Sequence, residues 1–160
     1  MADPLPLNPC LDPASYRALR RPPGARFVEV LDQRALPHAE IDLKVGDAGT
    51  AALAIGSMWV RGAPLIGAVG AYGLAMALDR DPSDTALESA HAALDAARPT
   101  AVNLRWALDR VRCVVASLPT SERADAAWRE ADAIVVQDIE INHSIGQHGL
   151  KLLRELPRGS

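Results

Sequence analysis

Aromatic side chains are scarce in this sequence, with one phenylalanine, two tyrosines and three tryptophans in 160 residues. That scarcity argues against the stacked-ring platforms that hold single-stranded nucleic acid. Basic runs are missing as well. Nothing longer than Arg20-Arg21 occurs and the formal net charge is −3, so the chain lacks the electrostatic footprint of a nucleic-acid binder, and no nucleic-acid partner is expected. Cysteine is nearly absent. Cys10 and Cys113 lie far apart and in no Cys-x-x-Cys or Cys/His spacing, so neither a metal site nor a disulfide framework is indicated. Cys113 reads as core filler on the apolar side of a helix. Long hydrophobic runs are also lacking. The most apolar window, Leu65 to Leu78, is too short to span a bilayer and carries Gly67, Gly70 and Gly73. The N-terminus, Met1-Ala-Asp-Pro-Leu-Pro6, has no basic segment and no signal-type apolar stretch. A cytoplasmic protein with no membrane partner is the expectation.

What is present suits a packed core, since 49% of the residues are hydrophobic. Residues 1–25 are rich in proline and arginine and read as an irregular lead-in with a short helical turn near Ala14 to Leu19. Alternation then begins. Phe27-Val-Glu-Val-Leu31 and Glu40-Ile-Asp-Leu-Lys-Val45 flank Arg34-Ala-Leu-Pro-His38, a pattern of two short antiparallel strands around a turn. From Asp47 the period changes to that of helices, and five are expected. They run from Asp47 to Ser57, Pro64 to Asp79, Thr85 to Ala97, Thr100 to Leu118 and Glu122 to Leu156. The second is apolar nearly all round, as a central bundle helix is. Its glycines at 67, 70 and 73 leave a smooth face for close packing. Asp81-Pro-Ser-Asp84 is expected to cap the third helix, Thr100 the fourth and Ser121 the fifth. The fifth is long enough to bend or break between Asn142 and Gly149. The fold class is therefore α+β and mainly α, with a lead-in and small sheet over 1–45 and a helical domain over 46–160.

Two segments carry chemistry. Met58-Trp-Val-Arg-Gly-Ala-Pro-Leu-Ile-Gly67 and Ala97-Arg-Pro-Thr-Ala-Val-Asn-Leu104 each set an arginine just before a helix start. A helix N-terminus leaves N–H groups unpaired and carries partial positive charge, and a guanidinium beside it adds a fixed fork of donors. Pro64 suits the first helical position. Gly62 and Ala63 let a ligand approach the backbone closely, and Pro99 keeps Arg98 extended. Arg61 and Arg98 are therefore candidate phosphate ligands. Solvated loop arginines are the ordinary alternative.

Five blocks form a recognisable set: Leu31-Asp-Gln-Arg-Ala-Leu-Pro37, Val60-Arg-Gly-Ala-Pro-Leu-Ile-Gly67, Ala71-Tyr-Gly-Leu-Ala75, Ala97-Arg-Pro-Thr-Ala-Val-Asn-Leu104 and Ile145-Gly-Gln-His-Gly149. In order and spacing they resemble the N-terminal half of the S-methyl-5-thioribose-1-phosphate isomerases, over roughly Phe27 to Leu150. The resemblance implies an aldose–ketose isomerase of methionine salvage that converts 5-methylthioribose 1-phosphate to 5-methylthioribulose 1-phosphate. It implies no metal or organic cofactor, and a homodimer. It places substrate binding on Arg61, Gly62, Ala63 and Arg98. The family's catalytic cysteine and aspartate belong to a C-terminal, Rossmann-like half expected beyond Ser160, so no catalytic residue falls within these 160 positions and the chain alone is expected to be inactive. Position 65 is Leu where the family usually has Ala, and position 143 is His where Arg is common.

Opening a ring at a phosphorylated anomeric carbon and moving hydrogen between neighbouring carbons needs a positioned acid/base pair. Cys113, Asp138, Glu140 and His143 match no motif for that role, and His148 reads as a packed or capped helix histidine. Two rival readings stand beside the isomerase. One is a non-catalytic assembly module like the regulatory subunits of the eukaryotic initiation-factor exchange complex, against which the intact arginine blocks argue. The other is an isomerase of ribose 1,5-bisphosphate, whose second phosphate requires further basic residues.

Overall fold

The computed structural model describes residues 18–156. Three short antiparallel strands, β1 (Leu19–Arg20), β2 (Val28–Leu31) and β3 (Asp42–Val45), form one sheet in the order β1-β2-β3. Five helices follow: α1 (Ala48–Gly56), α2 (Ala63–Arg80), α3 (Asp84–Ala97), α4 (Val102–Ala116) and α5 (Thr120–Glu155). Strand alternation sends Val28, Val30 and Val45 into the core, while Glu29 stands on the outer face opposite Arg20 and Lys44.

The expected α+β architecture is present, with one strand more than the alternation predicts. β1 is two residues long and exists only because Leu19 pairs with Val30 and Arg20 with Glu29. A span that short leaves no periodic signal. The expected helical turn near Ala14 to Leu19 lies outside the described residues apart from its last two positions.

α2 is the central helix, buried from Ile66 to Met76 and packed against each of the other four. Its glycines do not share one partner. Gly67 and Gly70 face Asn103, Leu104 and Ala107 on α4, whereas Gly73 faces Ala51 on α1 and Leu94 on α3. A three-residue step falls short of a full helical turn by about 60°, so successive glycines swing round to different neighbours.

Capping departs from expectation at two helices. Ser83 caps α3 as expected, its hydroxyl accepting from the Ala86 N–H, and Asp47 caps α1 by accepting from the Thr50 N–H at 2.8 Å. Thr100, however, sits inside a tight turn closed by the Ala101 N–H to the Arg98 carbonyl at 3.0 Å. The N-cap of α4 is therefore Ala101, which offers no side-chain acceptor. Likewise Pro119, not Ser121, is the N-cap of α5. Its fixed φ and extended ψ end the incoming chain two residues earlier and put Ser121 in the first turn.

α5 is also unbroken. Gly146 and Gly149 weaken a helix without reversing it. The Asn142 side-chain amide donates back to the Asp138 carbonyl at 2.8 Å, and the His148 ring bonds the Ser144 carbonyl at 2.8 Å. His148 is exposed and within α5, so it is neither packed nor a cap, contrary to expectation. Cys113 is a correction. Leu104, Ala107, Leu108, Val111 and Val115 form the buried stripe of α4, and Cys113 falls on the opposite, exposed face.

Candidate functional site

The end of the bundle where α2 and α4 begin gathers the chemistry-bearing residues. α3 returns the chain from the far end of α2 to the start of α4, so α2 and α4 set out from the same end. Two close approaches bracket their N-termini. A Cβ on Gly67 would lie 2.8 Å from the Asn103 carbonyl oxygen, and one on Gly56 would lie 3.4 Å from the Ala97 carbonyl oxygen. The Arg61 loop leaves α1 just after Gly56 and runs into α2, and the Arg98 turn leaves α3 at Ala97 and runs into α4. Both arginine segments thus emerge side by side.

The Arg61 loop is shaped by its backbone. α1 ends in a Schellman pattern, with the Met58 N–H donating to the Ile55 carbonyl and the Trp59 N–H to the Ala54 carbonyl at 2.9 Å. Met58 holds the left-handed position at φ 57, where glycine is the usual occupant. Gly62 follows at φ 93 with nothing within 4 Å of an added Cβ. There glycine answers a backbone requirement, while the space stays open for a ligand. Gly62 is the N-cap of α2, Ala63 its first residue and Pro64 its second, one place later than the sequence suggested.

Met58 is half exposed, so its replacement by glycine removes strain with little loss of packing. Left-handed strain in a non-glycine residue costs about 1–2 kcal/mol, and the added freedom of glycine in the unfolded chain returns up to about 1 kcal/mol of it. Met58→Gly is expected to raise the melting temperature by about 1–2 °C. A lowered melting temperature in a calorimetric scan would contradict this account of the loop.

The charge arrangement at this end is selective. Asp32, buried at the end of β2, binds Arg34 through both oxygens, with Nε at 2.8 Å and Nη2 at 2.7 Å, and also accepts the Arg34 backbone N–H at 3.0 Å. Hydrogen bonding from Arg34 outweighs the burial of Asp32 and holds its carboxyl below the usual carboxylate range, with the Arg61 charge adding to the effect. Asp95, at the end of α3, is bound through both oxygens by Arg105. Arg61 and Arg98 have no carboxylate partner among the described residues. Their helices are equally open. Neither Gly62 nor Ala101 provides a side-chain cap, so the first N–H groups of α2 and α4 lack a side-chain acceptor, unlike those of α1 and α3.

Arg61, Gly62 and Ala63 are exposed and Arg98 is half-buried. An adjoining cleft of about 370 Å³ is lined by Pro64 and Leu65 of α2, Asn103 and Trp106 of α4, and Ile139 and Ile141 of α5, but by neither arginine. Beyond it the distal part of α5 leaves Ile145, Leu152, Leu153 and Leu156 exposed. Asp138 also lines the cleft; its carboxylate, His143 and His148 bond to Asn142, Gln147 and Ser144, each one turn away on α5, and Glu140 is exposed.

Sequence reasoning attached no role to Asp32 or Arg34, although both lie in one of the five recognised blocks. A buried carboxylate with a bidentate arginine two residues on leaves no periodic trace. Among the described residues no group of three or more His, Cys, Asp or Glu side chains is arranged to hold a metal ion. No helix there is long and apolar enough to cross a membrane. The arrangement can hold an anion, and the carboxylates flanking it are committed to arginines.

A profile of the Initiation factor 2 subunit family matches residues 59–156. The methylthioribose-1-phosphate isomerase of Dechloromonas aromatica (strain RCB) is 51% identical over 146 residues, covering 91% of this chain and 40% of that protein. The crystal structure of 5-methylthioribose 1-phosphate isomerase from Pyrococcus horikoshii OT3 superposes with a TM-score of 0.79 at 34% identity, over 89% of this chain and 41% of that one. Translation initiation factor eIF-2B, subunit delta, from A. fulgidus gives 0.77 at 30% identity, over 86% and 42%. The chain thus spans about 40% of the length of these relatives.

Proposed function

Because this chain belongs to the Initiation factor 2 subunit family, and its unpaired arginines meet two uncapped helix starts, we propose that it is the phosphate-gripping part of an aldose–ketose isomerase acting on 5-methylthioribose 1-phosphate. The single observation that carries the reading is the charge arrangement. Arg61 and Arg98 are left without carboxylates beside open N–H groups, while Arg34 and Arg105 take up the nearby carboxylates. An assembly module has no need of that selectivity, whereas a phosphate ester gains a guanidinium fork and a helix N-terminus at each side. The isomerase names of the relatives support the same substrate.

The reading divides the enzyme's labour. The chain binds the phosphate through Arg61, Gly62, Ala63 and Arg98. The acid/base pair for ring opening and hydrogen transfer comes from a second part, of the kind that makes up the remaining length of the Dechloromonas relative. The cleft and the exposed apolar residues of distal α5 offer a place on which such a part can seat, closing the grip from water. Cytoplasmic location and a homodimeric assembly belong to the same proposal.

Titrating the 160-residue chain with 5-methylthioribose 1-phosphate is expected to move the amide resonances of Gly62, Ala63, Val102 and Asn103 in a saturable way, with no ketose formed. Arg61→Ala or Arg98→Ala should each weaken binding by about 1.5 kcal/mol or more, the scale of a charge-assisted hydrogen bond. Unchanged affinity in both variants, or shifts confined to other parts of the chain, would overturn the assignment.

A further inference from the structure

We infer that Asp32 and Arg34 form a positioning pair for the Arg61 loop, acting on the bound phosphate through Arg61 and not by touching it. The inference rests on the phosphate grip proposed above and assigns it a support. The loop following β2 is joined to the Arg61 loop at two points. The Gln33 N–H donates to the Trp59 carbonyl at 2.9 Å, two residues before Arg61. The Arg34 guanidinium also stands 5.3 Å from the centroid of the Trp59 ring, within reach of a cation–π contact. Asp32 fixes that guanidinium through both oxygens and is itself tied down, its own N–H donating to the Ile41 carbonyl at 2.8 Å.

Each link matters for a different reason. Arg61 has no carboxylate partner among the described residues, so the direction of its side chain is set by the backbone from Trp59 to Gly62. That backbone is held by the Schellman turn on one side and by the β2 loop on the other. Arg34 has a second effect. By occupying both oxygens of Asp32, it keeps a nearby carboxylate from competing with a phosphate for Arg61. Lysine cannot do the same, because a single ammonium neither spans two carboxylate oxygens in a plane nor stacks as a flat guanidinium does.

The test is a double-mutant cycle read by inorganic phosphate. The native chain, Arg34→Leu, Arg61→Ala and the double variant are titrated with phosphate, following the Gly62 and Ala63 amides, and each is melted. Arg34 is half exposed in a loop, but its loss leaves the buried Asp32 carboxylate unpaired and costs stability, so Asp32→Asn provides a second variant of almost unchanged shape with no stranded charge. The expected result is a five- to ten-fold weaker phosphate affinity in Arg34→Leu, read at a temperature where the variant is still fully folded, and a weaker affinity in Asp32→Asn at nearly native melting temperature. Arg34→Lys should give no rescue, and removing Arg34 should cost nothing more once Arg61 is gone. Native affinity in Arg34→Leu and Asp32→Asn overturns the inference and leaves the grip standing. So does an equal loss from Arg34→Leu with and without Arg61. Absence of any saturable shift in the native chain overturns the grip and the positioning pair together.

Discussion

Replacing Arg123 with alanine is expected to destabilise the chain by about 3 kcal/mol, the largest single effect anticipated outside the apolar core. Arg123 is buried at the start of α5, and its guanidinium gathers three chain ends. Nε donates to the Leu118 carbonyl at 3.0 Å, Nη1 to the Pro82 carbonyl at 3.0 Å and to Asp84 at 2.7 Å, and Nη2 reaches the Ala116 carbonyl at 3.4 Å. The carbonyls of Ala116 and Leu118 belong to the last turn of α4 and its exit, where the helix has no further N–H of its own to offer. Ala116 is exposed and Leu118 half-buried, so water recovers part of what they lose, and the cost of the substitution is the loss of four charge-assisted hydrogen bonds made by one buried guanidinium. Asp84 is largely exposed and returns to water at little cost, so no buried charge is left unpaired and the estimate rests on the charge-assisted hydrogen bonds and the packing of the buried stem. For a chain of this size the loss corresponds to a fall in melting temperature of roughly 6–12 °C. Arg123→Met retains much of the stem's packing and should recover only a minor part. If the alanine variant melts within 2 °C of the native chain, water replaces those bonds in full and the account fails.

Gly67→Ala is expected to cost about 2 kcal/mol net, although alanine is the better helix former by about 1 kcal/mol. The new methyl would meet the Asn103 carbonyl oxygen at 2.8 Å and the Ala107 Cβ at 3.3 Å. The first obstacle is backbone, so relief requires α2 and α4 to separate along their contact, an overpacking cost of up to about 3 kcal/mol. Because those helices carry the two open N-termini, the variant should also weaken phosphate binding, tying stability and site to one atom's width. Gly149→Ala provides the control. Nothing lies within 4 Å of a Cβ there, so the same substitution should increase helicity and stabilise α5 by about 1 kcal/mol. Circular dichroism on both variants checks the pair of signs. Equal effects at the two positions would show that helix propensity alone is being read.

The secondary structure was legible wherever periodicity was strong. Alternation from Phe27 to Val45 and the helical repeats from Asp47 onward located two strands and five helices, because side-chain direction repeats every second or every 3.6th residue whatever the partner is. α2 was recognisable as central for the same reason, being apolar all round. The misplacements share a cause. Thr100 and Ser121 are good capping residues one or two positions from where the chain turns, and whether a hydroxyl reaches an open N–H depends on the ψ of its neighbours. Cys113 was assigned by character, although the stripe from Leu104 to Val115 already placed it outside.

The candidate site divides along the same line. Sequence alone determined that two arginines precede two helix starts, since order along the chain is all that such a motif requires. Only the tertiary structure decided that these starts share one end of the bundle. It also decided that Asp32 and Asp95 are taken by Arg34 and Arg105, and that Arg61 and Arg98 have no carboxylate partner among the described residues. Charge pairing is a property of distance: Asp32 meets Arg34 across a tight turn and Asp95 meets Arg105 across the turn between α3 and α4, whereas the shared end of the helices is set by approaches between residues far apart in sequence, Gly67 with Asn103 and Gly56 with Ala97, brought together by the burial of α2.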